Sequence, residues 1–278
     1  MCVDLRVAVG QGVHLRVRRH DGAREPSFLL VHGLASNALL WDEVAAELAK
    51  AGHGSYAVDL RGHGESDLPE TGYDAATAAA DLAAVATALE LHDLVVAGQS
   101  WGGNVVVRLA AEHPALVKAL ALVDGGWIDL SAQFDTWEEC AKALRPPDLD
   151  GLRVDQMRGF LRRAHPDWSA AAVEATVANL RVGPDGTLTR RLPIPRHMEI
   201  VRDMWDDPPQ RFYPALAMPV LLVPAMPADP ERSARSRERV EAAARVLADA
   251  TIREYPGGDH DLHAQHPREL AADLLRLA

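Results

Sequence analysis

Val95-Val96-Ala97-Gly98-Gln99-Ser100-Trp101-Gly102-Gly103 decides how this chain is read. A solid apolar run, Leu94–Ala97, enters the segment, and a helical pattern, Gly103–Glu112, leaves it and stops ahead of Pro114. Between them stands Gly-x-Ser-x-Gly-Gly, the sequence of a sharp strand-to-helix turn that lifts one hydroxyl above a sheet. Such a turn strains the backbone at Ser100 and draws neighbouring segments close. Gly98 and Gly102 have no Cβ to clash there. The helix that follows points its N-terminal N–H groups and partial positive charge at the same place.

Working outward, the apolar runs are Val3–Val9, Val13–Arg18, Phe28–Val31, Ser55–Val58, Leu94–Ala97, Ala119–Val123, Val220–Val223 and Thr251–Tyr255. The first two alternate polar and apolar residues, as an antiparallel edge ribbon does. Most of the others are solid, as strands covered on both faces of a parallel sheet are. Helical patterns at Leu39–Lys50, Ala75–Leu91, Ser233–Leu247 and Pro267–Leu277 alternate with them. The rhythm predicts a doubly wound α/β sheet of eight strands. One stretch breaks it. Residues 127–214 contain no convincing strand and read as several helices punctuated by Pro146-Pro147, Gly183-Pro184 and Pro208-Pro209. The predicted organisation is a core of residues 1–126 and 215–278, with a helical cap, 127–214, inserted after the sixth strand. That end of the strands carries the binding crevice in open α/β sheets.

Two further segments bear on chemistry. His32-Gly33-Leu34 follows the third strand directly. In this geometry the N–H groups of Leu34 and Trp101 form an oxyanion hole, and His32 holds the loop. Asp59-Leu60-Arg61-Gly62-His63-Gly64-Glu65-Ser66 follows the fourth strand. With the turn at Ser100, these segments make the chain resemble the α/β-hydrolase superfamily along almost its whole length, the third as its Asp-x-Arg-Gly-x-Gly-x-Ser scaffold loop. The resemblance implies the α/β-hydrolase fold, a nucleophile at Ser100, and a base and an acid following in chain order. His260 fits the base: it lies in the loop after the last strand, seven residues before a helix-opening Pro267, although Asp259 stands where the family usually has Gly. For the acid, the family's usual place is the loop after the seventh strand, where Asp229 is the first carboxylate. The loop is one residue longer than the common pattern, and Asp124, after the sixth strand, is the alternative.

These residues suit two-step acyl transfer on an ester, lactone or related bond, with water cleaving an acyl-enzyme on Ser100. Carbon–carbon bond hydrolases and cofactor-free haloperoxidases use the same serine and stay open. So does a small-molecule receptor built on the same scaffold. Asp at the elbow would mark dehalogenase or epoxide hydrolase chemistry, and Ser100 argues against both. No metal or organic cofactor is implied. His260-x-x-His263-x-x-His266 has a metal-like spacing, but loop packing and helix capping account for His263 and His266. Four of the six tryptophans lie in the insert, and Trp127, Trp137 and Trp205 are candidates to line an apolar substrate pocket; packing inside the insert is the competing role. Insert arginines such as Arg162, Arg163, Arg190 and Arg191 would suit a carboxylate or lie solvated.

The net charge of −11 argues against nucleic acid and anionic membrane surfaces as partners. Two cysteines, no signal-like N-terminus and no run of about 18 apolar residues point to a cytoplasmic protein acting on a small molecule. The sequence leaves the oligomeric state open.

Overall fold

The computed structural model describes residues 1–278. Eight strands form one sheet: β1 (Cys2–Gly10), β2 (Val13–His20), β3 (Arg24–Val31), β4 (His53–Val58), β5 (Leu94–Gln99), β6 (Val117–Val123), β7 (Val220–Val223) and β8 (Ala250–Ile252). Their order across the sheet is β1-β2-β4-β3-β5-β6-β7-β8. The β1–β2 and β2–β4 pairs are antiparallel, and every other pair is parallel. This is the doubly wound sheet that the alternating elements predict, in the arrangement that the α/β-hydrolase resemblance implies.

The helices are α1 (Asp42–Lys50), α2 (Ala75–Ala88), α3 (Trp101–Glu112), α4 (Trp137–Leu144), α5 (Val154–Ala164), α6 (Ala170–Val177), α7 (Ile194–Asp206), α8 (Pro230–Val246), α9 (Leu262–Gln265) and α10 (Pro267–Leu274). Asp74 caps α2 by accepting from the N–H of Thr77, and Ser169 caps α6 by accepting from that of Ala172. Solid apolar strands are needed because both sheet faces are covered. Leu29, Val31, Val96, Leu120 and Leu122 join one core with residues of α2 and α3. Their neighbours Phe28, Leu30, Val95, Ala97 and Ala121 join the other core with residues of α1 and α10. No helix is long and apolar enough to cross a membrane.

Between β6 and β7 the chain runs through α4 to α7, as the helical patterns predict. One feature departs from expectation. A short antiparallel hairpin, Leu180–Val182 with Leu188–Arg190, interrupts the helices. Its turn is Gly183-Pro184-Asp185-Gly186, in which Asp185 accepts from the N–H and hydroxyl of Thr187, and Gly186 takes a φ of +82°. Pro-Asp-Gly is a turn signal with a mechanism, so the hairpin was marked in the sequence by more than punctuation. The insert is anchored to the rest of the chain through polar contacts. Asn37 donates to the Ala175 carbonyl at 2.7 Å, Ser169 Oγ donates to Glu43 at 2.6 Å, and Asp203 accepts from the Ala75 N–H at 2.8 Å. Burial pushes the Asp203 carboxyl up to about 6.

Candidate functional site

Ser100 sits between β5 and α3 with φ 53° and ψ −126°, a conformation that side chains rarely adopt. Holding it there costs on the order of 1–3 kcal/mol, which the close packing around it must offset. That packing is tight enough to exclude a methyl group at each neighbouring glycine. A Cβ on Gly98 would stand 2.4 Å from the Gly102 carbonyl, and one on Gly102 would stand 2.4 Å from the His32 carbonyl. The Ser100 N–H donates to the Val123 carbonyl at 3.0 Å, which ties the turn to the end of β6.

Residue 124 is the first beyond that strand. Asp124 has φ 42°, and its N–H donates to the Val223 carbonyl at 2.8 Å. Its Oδ1 accepts from the Ala225 N–H at 3.0 Å, and its Oδ2 accepts from His260 Nδ1–H at 2.5 Å. The donation from Nδ1 leaves Nε2 of His260 free to take a proton. The His260 ring is 54% exposed, open to the cavity described below. Burial among the surrounding groups opposes its charge. The hydrogen bond to Asp124 and the charges of Asp124, Asp261 and Asp259 outweigh it and push the imidazole up to about 9.

Asp229, expected as the acid, does not meet His260. Asp229 caps α8, where it accepts from the Arg232 N–H at 2.8 Å on an exposed surface. Its carboxylate is taken up by the first turn of α8, and the carboxylate beside the imidazole is that of Asp124.

The segment after β3 approaches the turn closely, since a Cβ on Gly33 would lie 2.9 Å from that of Ser100. Two buried histidines fix it. His32 Nε2 accepts from the Leu60 N–H at 3.0 Å while Nδ1–H donates to the Gly33 carbonyl at 2.7 Å. His63 Nε2 accepts from the Ala35 N–H at 3.1 Å while Nδ1–H donates to the Arg61 carbonyl at 2.9 Å. Burial holds His32 down to about 4 and His63 to about 3, so both are neutral struts. With Ala35 N–H occupied, the Leu34 N–H has no acceptor within the protein, and neither has that of Trp101. The Asp59–Ser66 segment supports this arrangement from below. Buried Asp59 accepts from the Ala38 and Glu65 N–H groups at 2.7 and 2.8 Å and faces Arg16 Nε at 2.6 Å.

Ser100, Trp101, Leu34, Asp124 and His260 all open onto one cavity of about 940 Å³. Trp127 lines it as well. Trp137 and Trp205 do not: they pack edge to face at 6.1 Å, with the Arg202 guanidinium 4.8 Å over Trp137. Trp168 stacks on His165 at 3.9 Å. The tryptophans of the insert therefore mostly pack the insert itself, which corrects the expectation of an aromatic pocket. Among the insert arginines singled out by sequence, Arg190 reaches the cavity, whereas Arg191 pairs with Glu65. The three-histidine spacing makes no cluster. His263 is buried against Trp41 at 4.8 Å, and His266 lies 5.4 Å from Tyr255.

Two participants escape sequence reasoning. Gln99 is buried, and its Nε2 donates to the His260 carbonyl at 3.0 Å, so the elbow grips the histidine loop directly. Asp259, at the position where glycine is usual, accepts from His165 Nδ1–H at 2.9 Å, which links that loop to the insert. Neither contact has a signature in local spacing, since each joins segments about a hundred or more residues apart.

Comparison with known proteins agrees with this picture. Over 264 residues the chain is 28% identical to a non-heme chloroperoxidase of Streptomyces lividans, covering 88% of each chain. Over 122 residues it is 34% identical to the 2-(acetamidomethylene)succinate hydrolase of Mesorhizobium japonicum, covering 44% of this chain and 42% of that one. The chain spans only 30–42% of the length of the first curated relatives it matches. A crystal structure of an E-2-(acetamidomethylene)succinate hydrolase superposes with a TM-score of 0.80 at 24% identity over 100% of this chain and 99% of that one, a likeness of fold. The family model of the alpha/beta hydrolase fold matches residues 26–221, most of the chain, and with the sheet order and the turn at Ser100 already described, the protein belongs to that family.

Proposed function

We propose that the protein is a serine hydrolase that cleaves an ester, lactone or related acyl bond of a small molecule through an acyl-enzyme on Ser100. The observation that carries this reading is the 2.5 Å contact of His260 Nδ1 with Asp124 Oδ2, in a cavity that the Ser100 turn also lines. The acid orients the imidazole with Nε2 lone pair outward. Nε2 takes the Ser100 proton as the hydroxyl attacks the carbonyl carbon. Negative charge develops on the carbonyl oxygen, and the uncommitted N–H groups of Leu34 and Trp101 receive it; each such donor is worth about 3–4 kcal/mol in the transition state. His260 then protonates the leaving group and activates water for the second half. The helices of residues 127–214 act as a cap over the site.

The test is covalent. A fluorophosphonate probe should label one tryptic peptide, the one containing Ser100, and labelled protein should lose turnover of p-nitrophenyl butyrate. Labelling at another serine, or turnover that survives full labelling, would sink the proposal. Ligand-induced melting shifts with no turnover would favour a receptor role.

A second reading has a specific support, the match to a non-heme chloroperoxidase over 88% of each chain. On the same machinery hydrogen peroxide would replace water as the second nucleophile and release a peracid. Peracid formation from acetate and peroxide, measured beside ester hydrolysis, separates the two.

Gln99 is a positioning residue in this scheme. Gln99→Leu keeps the shape and removes the grip on the His260 carbonyl. It should lower kcat roughly tenfold or more through a misplaced imidazole, at a stability cost of about 1 kcal/mol. Parallel kinetics and thermal melts check it: an unchanged kcat would remove Gln99 from the scheme.

A further inference from the structure

The cavity is unusually basic for so acidic a chain. Five arginines line it: Arg145 and Arg190 from the insert, and Arg232, Arg235 and Arg239 from α8. The last three recur at i, i+3 and i+7, which puts them along one face of the helix. Elsewhere in the protein most arginines have a carboxylate partner, such as Arg61 with Asp81 or Arg158 with Glu174. Of the five in the cavity, only Arg235 comes within 4.0 Å of one, Glu231 at 3.8 Å on the exposed side of the helix. The side chain of Arg190 donates to the Pro147 carbonyl, a neutral acceptor. The two carboxylates that do line the cavity are already engaged, Asp124 with His260 and Asp259 with His165.

With 40 acidic residues against 29 basic ones, chance would leave a carboxylate beside most of these guanidinium groups. Instead four of the five, all but Arg235, stand without a carboxylate partner around the cavity that Ser100 also lines. Charge of one sign lining a concave, partly desolvated site focuses the field on a ligand of the other sign. A guanidinium fork matches the paired oxygens of a carboxylate or phosphate.

Resting on the hydrolase reading above, we infer that the substrate carries a second, anionic oxygen group, carboxylate or phosphate, remote from the scissile carbonyl, which Arg190 and the α8 arginines Arg232 and Arg239 hold in place. The sequence-based expectation of an apolar substrate is thereby revised to an anionic one with an apolar stem. Trp127, Leu130, Val201 and Met204 supply the apolar wall for that stem.

The test compares three p-nitrophenyl esters with the same leaving group: the half-ester of adipic acid, the methyl ester of that half-ester, and the ω-phosphonooxyhexanoate. Either anionic ester should exceed the neutral methyl ester in kcat/KM by about tenfold or more, and salt should erode the advantage. Which anion wins tells carboxylate from phosphate. The variant Arg190→Gln/Arg232→Gln/Arg239→Gln should lose at least about ten times more on the preferred anion than on the neutral ester, while Arg162→Gln, on an arginine that does not line the cavity, alters neither. A neutral ester turned over as well as both anions, or equal losses on all three, overturns the inference. A separate measurement keeps it apart from the chemistry: calorimetric binding of adipate and of dimethyl adipate to Ser100→Ala protein. If no ester turns over, the hydrolase proposal fails. Adipate binding at least about tenfold tighter than its diester, and lost with the arginines, would still uphold the anion site; equal binding would sink it.

Discussion

Asp124→Asn should lower kcat about ten-thousandfold on an activated ester, while Asp229→Asn should change it less than about twofold. Asparagine preserves the shape of the Asp124 side chain, but its NH2 favours a proton-free Nδ1, which leaves Nε2 protonated and unable to accept from Ser100. At position 229 asparagine caps α8 about as well as aspartate does. Steady-state kinetics on both variants decides the matter. A severe loss at 229 with little at 124 would restore the acid that the family's usual loop suggests. The pH profile supplies a second readout. His260 must be neutral to act as base, so kcat/KM of the parent protein should rise as pH climbs through its raised value near 9. In Asp124→Asn the rise should move down towards or below the ordinary 6.5, because burial opposes the charge and its main partner is gone. The same proton is linked to folding. A histidine whose folded value is raised stabilises the fold fully below about 6.5, and that contribution fades as pH rises towards 9.

The second large effect concerns stability. Arg61→Met should destabilise the fold by about 3–5 kcal/mol and lower Tm by roughly 10 °C. Arg61 and Asp81 are both almost fully buried, 5% and 4% exposed, and meet through two parallel hydrogen bonds of 2.8 Å. Arg61 also donates to the Thr71 carbonyl at 3.1 Å. Removing the guanidinium strands a carboxylate in a dry interior, where burial already pushes Asp81 up despite the pairing. The double variant Arg61→Met/Asp81→Leu should recover much of the loss, since paired replacement leaves no orphan charge. Thermal and chemical denaturation of the three proteins measure it. A single variant within about 1 kcal/mol of the parent would show that the pair is not what holds the Asp59–Ser66 loop.

Much of this was legible before any coordinates. Each of the eight strands overlaps an apolar run. The central ones are solid because both their faces are buried, and the first two alternate. The last run stays in the sheet only to Ile252 before Tyr255–Pro256 pairs separately with Ala225–Met226. The turn at Ser100 announces itself because only glycine tolerates the contacts at 98 and 102. The acid was harder to read. Asp124 and Asp229 both follow parallel strands at the carboxyl end of the sheet, and which of them meets His260 depends on a loop arriving from more than a hundred residues beyond Asp124, which no local spacing encodes. The insert tryptophans were harder still. Aromatic content says that something apolar is covered, but whether a ring covers a ligand or another ring depends on which helix faces meet, as Trp137 and Trp205 do. Of the cavity arginines the sequence singles out only Arg190, for the significance of the others lies in the carboxylates that are not beside them.

In the register of β5 and β6, Gln99 is paired with Val123, so Ser100 and Asp124 each begin the first step beyond adjacent strands. Their spacing is accordingly a property of the sheet, fixed by the roughly 4.8 Å between neighbouring strands. Loop shape does not set it. If Asp124 is the acid, as proposed, the connection from β7 into α8 steadies it through the Ala225 N–H and need not supply a carboxylate of its own. Beyond Ala225 and Met226, which hold Asp124 Oδ1 and pair with Tyr255–Pro256, it can lengthen, shorten or change composition, reshaping the wall where Arg232 and Arg239 stand, without disturbing the distance between Ser100 and Asp124. Diversification of substrate choice in a scaffold wired this way has the rest of that connection to work with, which a scaffold relying on residue 229 would have had to keep unchanged.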